Sequence, residues 1–201
     1  MKPHICPWRF AYLFDNPLRR LLHNPQKILG AYVHPGMTVL DIGCGMGFFS
    51  LALARLVGKE GIVISVDLQQ EMLQVLKKRA IRAGVAERIR THQSSSGDLG
   101  LTTRVDFILA FWMVHEVPDR AKLFRQLKPF LCESGHFLVA EPKIHVSTED
   151  FQETLELAGG VGWSHVGDVR IRLSRSALLR VSWRSTPSHT SCLPLASWPA
   201  I

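Results

Sequence analysis

The 201-residue sequence predicts an α/β fold built on a mostly parallel sheet. Three observations carry that reading. The stretch 37–50 reads Met-Thr-Val-Leu-Asp-Ile-Gly-Cys-Gly-Met-Gly-Phe-Phe-Ser: a short β-favouring run, a turn with glycines at 43, 45 and 47, and the opening of a helix over 48–57. Residues 61–66 form a run rich in β-branched side chains that ends in Asp67, the pattern of a strand buried on both faces. Gly167-Asp168, between strand-like runs at 163–166 and 169–173, signals a hairpin, which a purely parallel sheet lacks.

The length suits one domain that can bury an independent core. No apolar stretch reaches the length of a membrane helix. Pro3, His4, Pro7 and Arg9 break up any signal-peptide core, so the expected compartment is the cytoplasm. Cys6, Cys44, Cys132 and Cys192 are scattered without C-x-x-C spacing and suggest neither a disulfide framework nor a metal site. The net charge of +7 invites a nucleic-acid reading, but its distribution argues against one. Lys77, Lys78, Arg79 and Arg82 share a helical segment, where a solvated face is the plainer account. Arg170, Arg172, Arg175, Arg180 and Arg184 alternate in part with apolar residues, as outward positions of a strand do.

Residues 1–30 read as a helical preamble, broken at Asn16-Pro17 and restarted at Asn24-Pro25, where a proline at the first helical turn loses no hydrogen bond. Trp8, Phe10 and Tyr12 would cover the sheet edge. His4 and Cys6 have no second pair of metal ligands nearby.

The spacing of the glycines decides the kind of ligand. A dinucleotide fingerprint needs a third glycine at position 48, where Phe48 stands, and no Gly-Lys-Ser/Thr follows to make a phosphate loop. The motif present is Asp41-x-Gly43-x-Gly45-x-Gly47, with Asp67 ending the next strand. In these residues the chain resembles the class I S-adenosylmethionine-dependent methyltransferases, over about residues 25–180. The resemblance implies a Rossmann-like methyltransferase fold: a mostly parallel seven-stranded sheet with an antiparallel last strand and helices on both faces. It also implies that the loop Gly43-Cys44-Gly45-Met46-Gly47, with Asp41 before it and Phe48 after it, wraps the methionine part of S-adenosylmethionine. Asp67, followed by Leu68, would accept the ribose hydroxyls; an N-cap role for Asp67 is compatible with this.

Residues 69–83 form an amphipathic helix ended by Gly84, and 89–92 a third strand. Many members of that family carry an acidic residue just after that strand, which contacts the adenine amino group. Ser94 stands there instead, so Gln93, Ser94 or a backbone group would supply the contact. Residues 105–110 make the fourth strand, with Ala110 beside the cofactor at the carboxyl edge. Phe111-Trp112-Met113-Val114-His115-Glu116 follows; it lacks the Asn/Asp-Pro-Pro-aromatic run of base-amino methylases and looks like the corresponding segment of small-molecule enzymes. Residues 120–131 are the next helix and 136–140 the fifth strand, ending at Glu141-Pro142. Residues 148–158 form a helix started by Ser147 or Thr148 and stopped by Gly159-Gly160. Residues 31–180 are thus expected as the cofactor-binding domain. Residues 181–201, with five serines, three prolines and no acidic residue, are expected as a disordered tail.

The leading functional reading is an enzyme that moves a methyl group from S-adenosylmethionine to a small or medium-sized molecule. Phe111, Trp112, His115 and Glu141 would line the acceptor side, with His115 or Glu141 taking a proton. Alternatives are an RNA or protein methyltransferase and a catalytically silent cofactor-binding domain. Oligomeric state and the acceptor's identity are not legible in the sequence.

Overall fold

A computed structural model of the chain describes residues 22–95 and 97–182. The expectations for Trp8, Phe10, Tyr12, the Asn16-Pro17 break, His4, Cys6 and residues 183–201 lie outside these residues.

The first described helix, α1 (Pro25–Leu29), is capped by the Asn24 side chain, which accepts from Lys27 N, with Pro25 in its first turn. Then come β1 (Thr38–Ile42), α2 (Phe48–Leu56), β2 (Ile62–Asp67), α3 (Gln70–Arg82), β3 (Ile89–Gln93) and β4 (Val105–Phe111). The chain continues through α4 (Arg120–Leu127), β5 (Leu131–Pro142), α5 (Thr148–Gly160), β6 (Trp163–Gly167) and β7 (Ser174–Val181). The seven strands form one sheet in the order β3-β2-β1-β4-β5-β7-β6. Neighbours from β3 to β5 are parallel, whereas β7 runs antiparallel to both β5 and β6. The expected mixed sheet is therefore present.

Alternate residues of the strands feed two apolar layers. Val39, Val63, Phe107, Leu109 and Leu138 pack with Leu29, Phe49, Leu53, Leu73 and Leu76 of α1, α2 and α3. Leu40, Ile64, Ile108, Phe137 and Val139 pack with Phe124, Leu127, Phe151 and Ala158 of α4 and α5. The strand order reverses between β1 and β4, which opens a crevice at their carboxyl ends, where open α/β sheets bind ligands.

Four boundaries differ from the sequence reading. β5 starts at Leu131, before the expected start at 136. The partner of β6 is not 169–173 but β7, with Gly167 opposite Leu178, so a six-residue loop (168–173) replaces the tight hairpin. Buried Ile171 draws that loop onto the α2 and α3 layer, so the alternation there is a loop's anchor rather than a strand's pleat. The helix expected over 120–131 gives way after Leu127 to a 3-10 turn, Lys128–Phe130, because Pro129 offers no N–H to continue the ladder. Gly159-Gly160 do not stop α5, whose start is fixed by a capping box between Ser147 and Asp150. Cys44 is a buried free thiol.

Candidate active site

The glycine loop joins β1 to α2, and its three glycines have different surroundings. A Cβ on Gly43 would lie 2.9 Å from Met113 Cβ, so the segment after β4 packs directly on the loop. Gly47, the N-cap of α2 at φ 86°, would drive a Cβ to 2.1 Å from Leu76 Cδ1, so it lets α2 pack closely against α3. Gly45 is different. Its φ is 53°, and a Cβ there would meet nothing within 4 Å. The loop's middle glycine thus leaves bare backbone facing open space, where a ligand can lie against it.

Beneath the loop, Ser65 Oγ donates to Ser50 Oγ at 3.0 Å, and Ser50 Oγ donates to Asp41 Oδ2 at 2.5 Å, all three residues being buried. Ser50 is the polar residue of an otherwise apolar helical turn, a sequence signal that was available and unused. Cys44 N donates to Val66 O at 3.0 Å, tying the loop to β2. Burial first, and then the charges of Asp41 and Asp67, push the Cys44 thiol well above its ordinary range. It is a packing residue, not a nucleophile.

Asp67 ends β2 and is 9% exposed. Its Oδ2 accepts from Gly45 N and its Oδ1 from Gln69 N, both at 2.9 Å. One carboxylate thereby fixes both the glycine loop and the entry to α3. Burial raises its pKa, opposed by the N–H groups of Gln69, Gly45 and Leu68. A carboxylate has about four lone-pair sites, so these donors leave acceptor capacity for ligand hydroxyls. The open face at Gly45 and this carboxylate together fit the methionine and ribose parts of S-adenosylmethionine.

The other expected cofactor contacts lie nearby. Gln93 Nε2 donates to Leu68 O at 3.1 Å and Ser94 N to Asp67 O at 3.1 Å, so the segment after β3 is bound to the segment after β2. Ala110 is fully buried in the α4 and α5 layer, leaving only backbone for a ligand. Phe48 lies edge-on to Phe49, and Phe49 packs on Phe111 at 4.3 Å between ring centroids.

On the acceptor side the structure joins two of the expected residues and separates the others. Glu141, 1% exposed, accepts from Val114 N at 3.0 Å and His115 N at 3.1 Å, while His115 Nδ1 lies 2.5 Å from its Oε2. Glu141 thus caps the 3-10 turn Val114–Glu116 and grips the His115 ring from behind. The His115 side chain is 26% exposed. Burial pulls its pKa down, but the hydrogen bond and charge of Glu141 and the charge of Glu116 outweigh this and raise it. The His145 ring lies parallel to it, 6.1 Å away.

Phe111 and Trp112 turn to the opposite layer. Phe111 is buried, and His23 packs edge-on to both rings, at 5.3 and 4.9 Å. Trp112 has a positive φ of 61° and donates its indole N–H to Ser174 Oγ at 2.9 Å. Neither His23 nor Ser174 was marked by the sequence, because both contacts join segments far apart in the chain. The four residues expected on one wall therefore divide into a His115–Glu141 pair and an aromatic brace.

Residues 33–167 match the family model described as a methyltransferase domain. The chain belongs to that family. It is a class I, S-adenosylmethionine-dependent methyltransferase domain. Among curated proteins, it is 32% identical over 134 residues to a ubiquinone biosynthesis O-methyltransferase of Methylobacterium sp. (strain 4-46), covering 67% of this chain and 51% of the relative. It is 27% identical over 184 residues to an arsenite methyltransferase of Halobacterium salinarum, covering 88% of this chain and 45% of the relative. The chain thus spans about half the length of these curated relatives. In fold it matches a SAM-dependent methyltransferase from Aquifex aeolicus with a TM-score of 0.80 at 23% identity, covering 88% of this chain and all of the other. Among the described residues of this methyltransferase domain, no helix is long and apolar enough to cross a membrane, and no group of three or more His, Cys, Asp or Glu side chains could hold a metal ion.

Proposed function

We propose that the chain transfers a methyl group from S-adenosylmethionine to a small or medium-sized molecule, with His115 as the base and Glu141 as the residue that positions it. The observation that carries this reading is the His115–Glu141 contact at 2.5 Å, two residues from the Met113 that packs on Gly43. S-adenosylmethionine supplies, when bound, a methyl on a sulfonium that is displaced in line. The chain's own part is to position and to accept a proton. Gly45 leaves backbone bare against the donor, and Asp67 holds its hydroxyls. Glu141 accepts a hydrogen bond from Nδ1–H of His115, which leaves Nε2 as the proton-accepting atom. The hydrogen bond and charge of Glu141 raise the pKa of His115 and so make it a stronger base than a free imidazole. Holding donor and acceptor in line can account for roughly 7–11 kcal/mol of the barrier without any covalent group from the protein.

The names of the relatives point to quinone precursors and arsenite as acceptors to try first. A base acting on an ionisable hydroxyl favours the former. The test is release of demethylated cofactor across phenolic, quinone, arsenite and RNA pools, with His115→Ala beside the parent chain. The variant should keep its cofactor affinity in calorimetry and lose turnover with the accepted pool. Loss of both properties, or of neither, overturns the division of roles.

A further inference from the structure

We propose that the rim formed by the β5–α5 and β6–β7 loops docks on an anionic lipid surface. Two aliphatic side chains stand out into solvent there, Ile144 at 86% and Leu173 at 55% exposure. They belong to one surface, because Lys143 N donates to Leu173 O at 2.9 Å. Leu173 is held outward by a φ of 56°, a left-handed backbone that an unconstrained leucine avoids. The corner beneath it is braced from the strands: Trp112 Nε1 donates to Ser174 Oγ, and His23 Nε2 pairs with Arg172 O, each at 2.9 Å. The two non-glycine residues of positive φ among the described residues thus meet at one corner, which presents Leu173 rigidly.

Basic side chains flank both of them in the chain. Lys143, Arg170 and Arg172 are exposed, and among the described residues their side chains make no hydrogen bond or ion pair. Asp168, the one acid in the β6–β7 loop, is paired with His165 at 2.8 Å. Glu153 and Glu156 stand further along α5, in the layer opposite the one onto which Ile171 draws this loop, while Glu149 and Asp150 open α5 next to the β5–α5 loop. A protein partner would need roughly 800 Å² on this side, far more than two aliphatic side chains provide. A bilayer needs only a few apolar residues set among the headgroups, with cations beside them to meet anionic lipid. Docked this way, the carboxyl edge of the sheet, which carries His115, faces the lipid.

The test is co-sedimentation of the full chain, without cofactor or acceptor, with vesicles of phosphatidylcholine alone and of phosphatidylcholine mixed with phosphatidylglycerol. The outcome is therefore separate from whether the methyl-transfer reading holds. The chain should sediment with the mixed vesicles and not the neutral ones, and added salt should weaken that. Ile144→Ser/Leu173→Asn, which keeps a residue tolerant of positive φ, should lower the bound fraction about fivefold or more with no change in melting temperature. Lys143→Gln/Arg170→Gln/Arg172→Gln should remove the preference for phosphatidylglycerol. No binding by the parent chain, equal binding to both vesicle types, or unchanged binding by the Ile144/Leu173 variant would each overturn the proposal. So would dimerisation that these substitutions abolish.

Discussion

Replacing Glu141 by glutamine should destabilise the fold by about 2–4 kcal/mol and move the acid limb of turnover to lower pH. Three donors converge on this one buried carboxylate: Val114 N, His115 N and His115 Nδ1. Glutamine keeps one acceptor oxygen and turns an NH2 group toward the remaining donors, so at least one contact is lost and the others lose their charge. A hydrogen bond to a charged group contributes about 1.5–3 kcal/mol, which sets the range. In a domain of this size that is a fall in melting temperature of about 4–16 °C. The sign of the pH effect follows from His115, whose folded pKa is raised by Glu141 and Glu116 against the opposing pull of burial. Stability from its protonated form is fully present below the unfolded histidine value, about 6.5, and is lost as pH rises through the raised folded value. In Glu141→Gln that pH-dependent increment shrinks, and His115 stays unprotonated to lower pH. Thermal melts across pH 5 to 9 and an imidazole NMR titration measure both effects. A variant that melts with the parent at every pH, and whose His115 titrates unchanged, would refute the account of Glu141 as the group that holds this ring.

The remaining predictions concern the cofactor side. Asp67→Ala should weaken S-adenosylmethionine binding by about 1.5–3 kcal/mol in calorimetry, because a charge-assisted hydroxyl contact and the tether on Gly45 N go together; equal affinity would remove the ribose role. Gly45→Val and Gly47→Ala should separate cleanly. The first places its side chain in open space, so it should abolish cofactor binding with a modest loss of stability from its positive φ, about 1–2 kcal/mol. The second collides with Leu76 and should lower the melting temperature of the ligand-free chain more than the first does. The opposite ranking in melts would mean that the loop's glycines serve only its packing.

Much of the glycine loop and its surroundings was determined by the sequence alone, because the pattern is local. A strand, three glycines and a helix follow one another without a gap, and the backbone angles that glycine permits are written in the residue type itself. Asp67 lies at the end of a recognisable strand, and parallel pairing carries that strand's tip to the loop. The division of apolar residues between two layers likewise follows from alternation along each strand. What only the tertiary structure decided lies between segments distant in the chain. Glu141 and His115 are 26 residues apart, and nothing in either segment says that one carboxylate closes on the other's turn. Their partnership depends on which face of β5 the side chain leaves and on the turn at 112–116, so two residues read as alternatives became one unit. Trp112 and Ser174, 62 residues apart, meet because the indole N–H needs an acceptor and the left-handed backbone at Trp112 turns the ring toward β7. The loop at 168–173 shows the same limit: its alternating pattern is a strand's, but pairing partners and one buried anchor, Ile171, are set by register across the sheet, which no short stretch of sequence encodes.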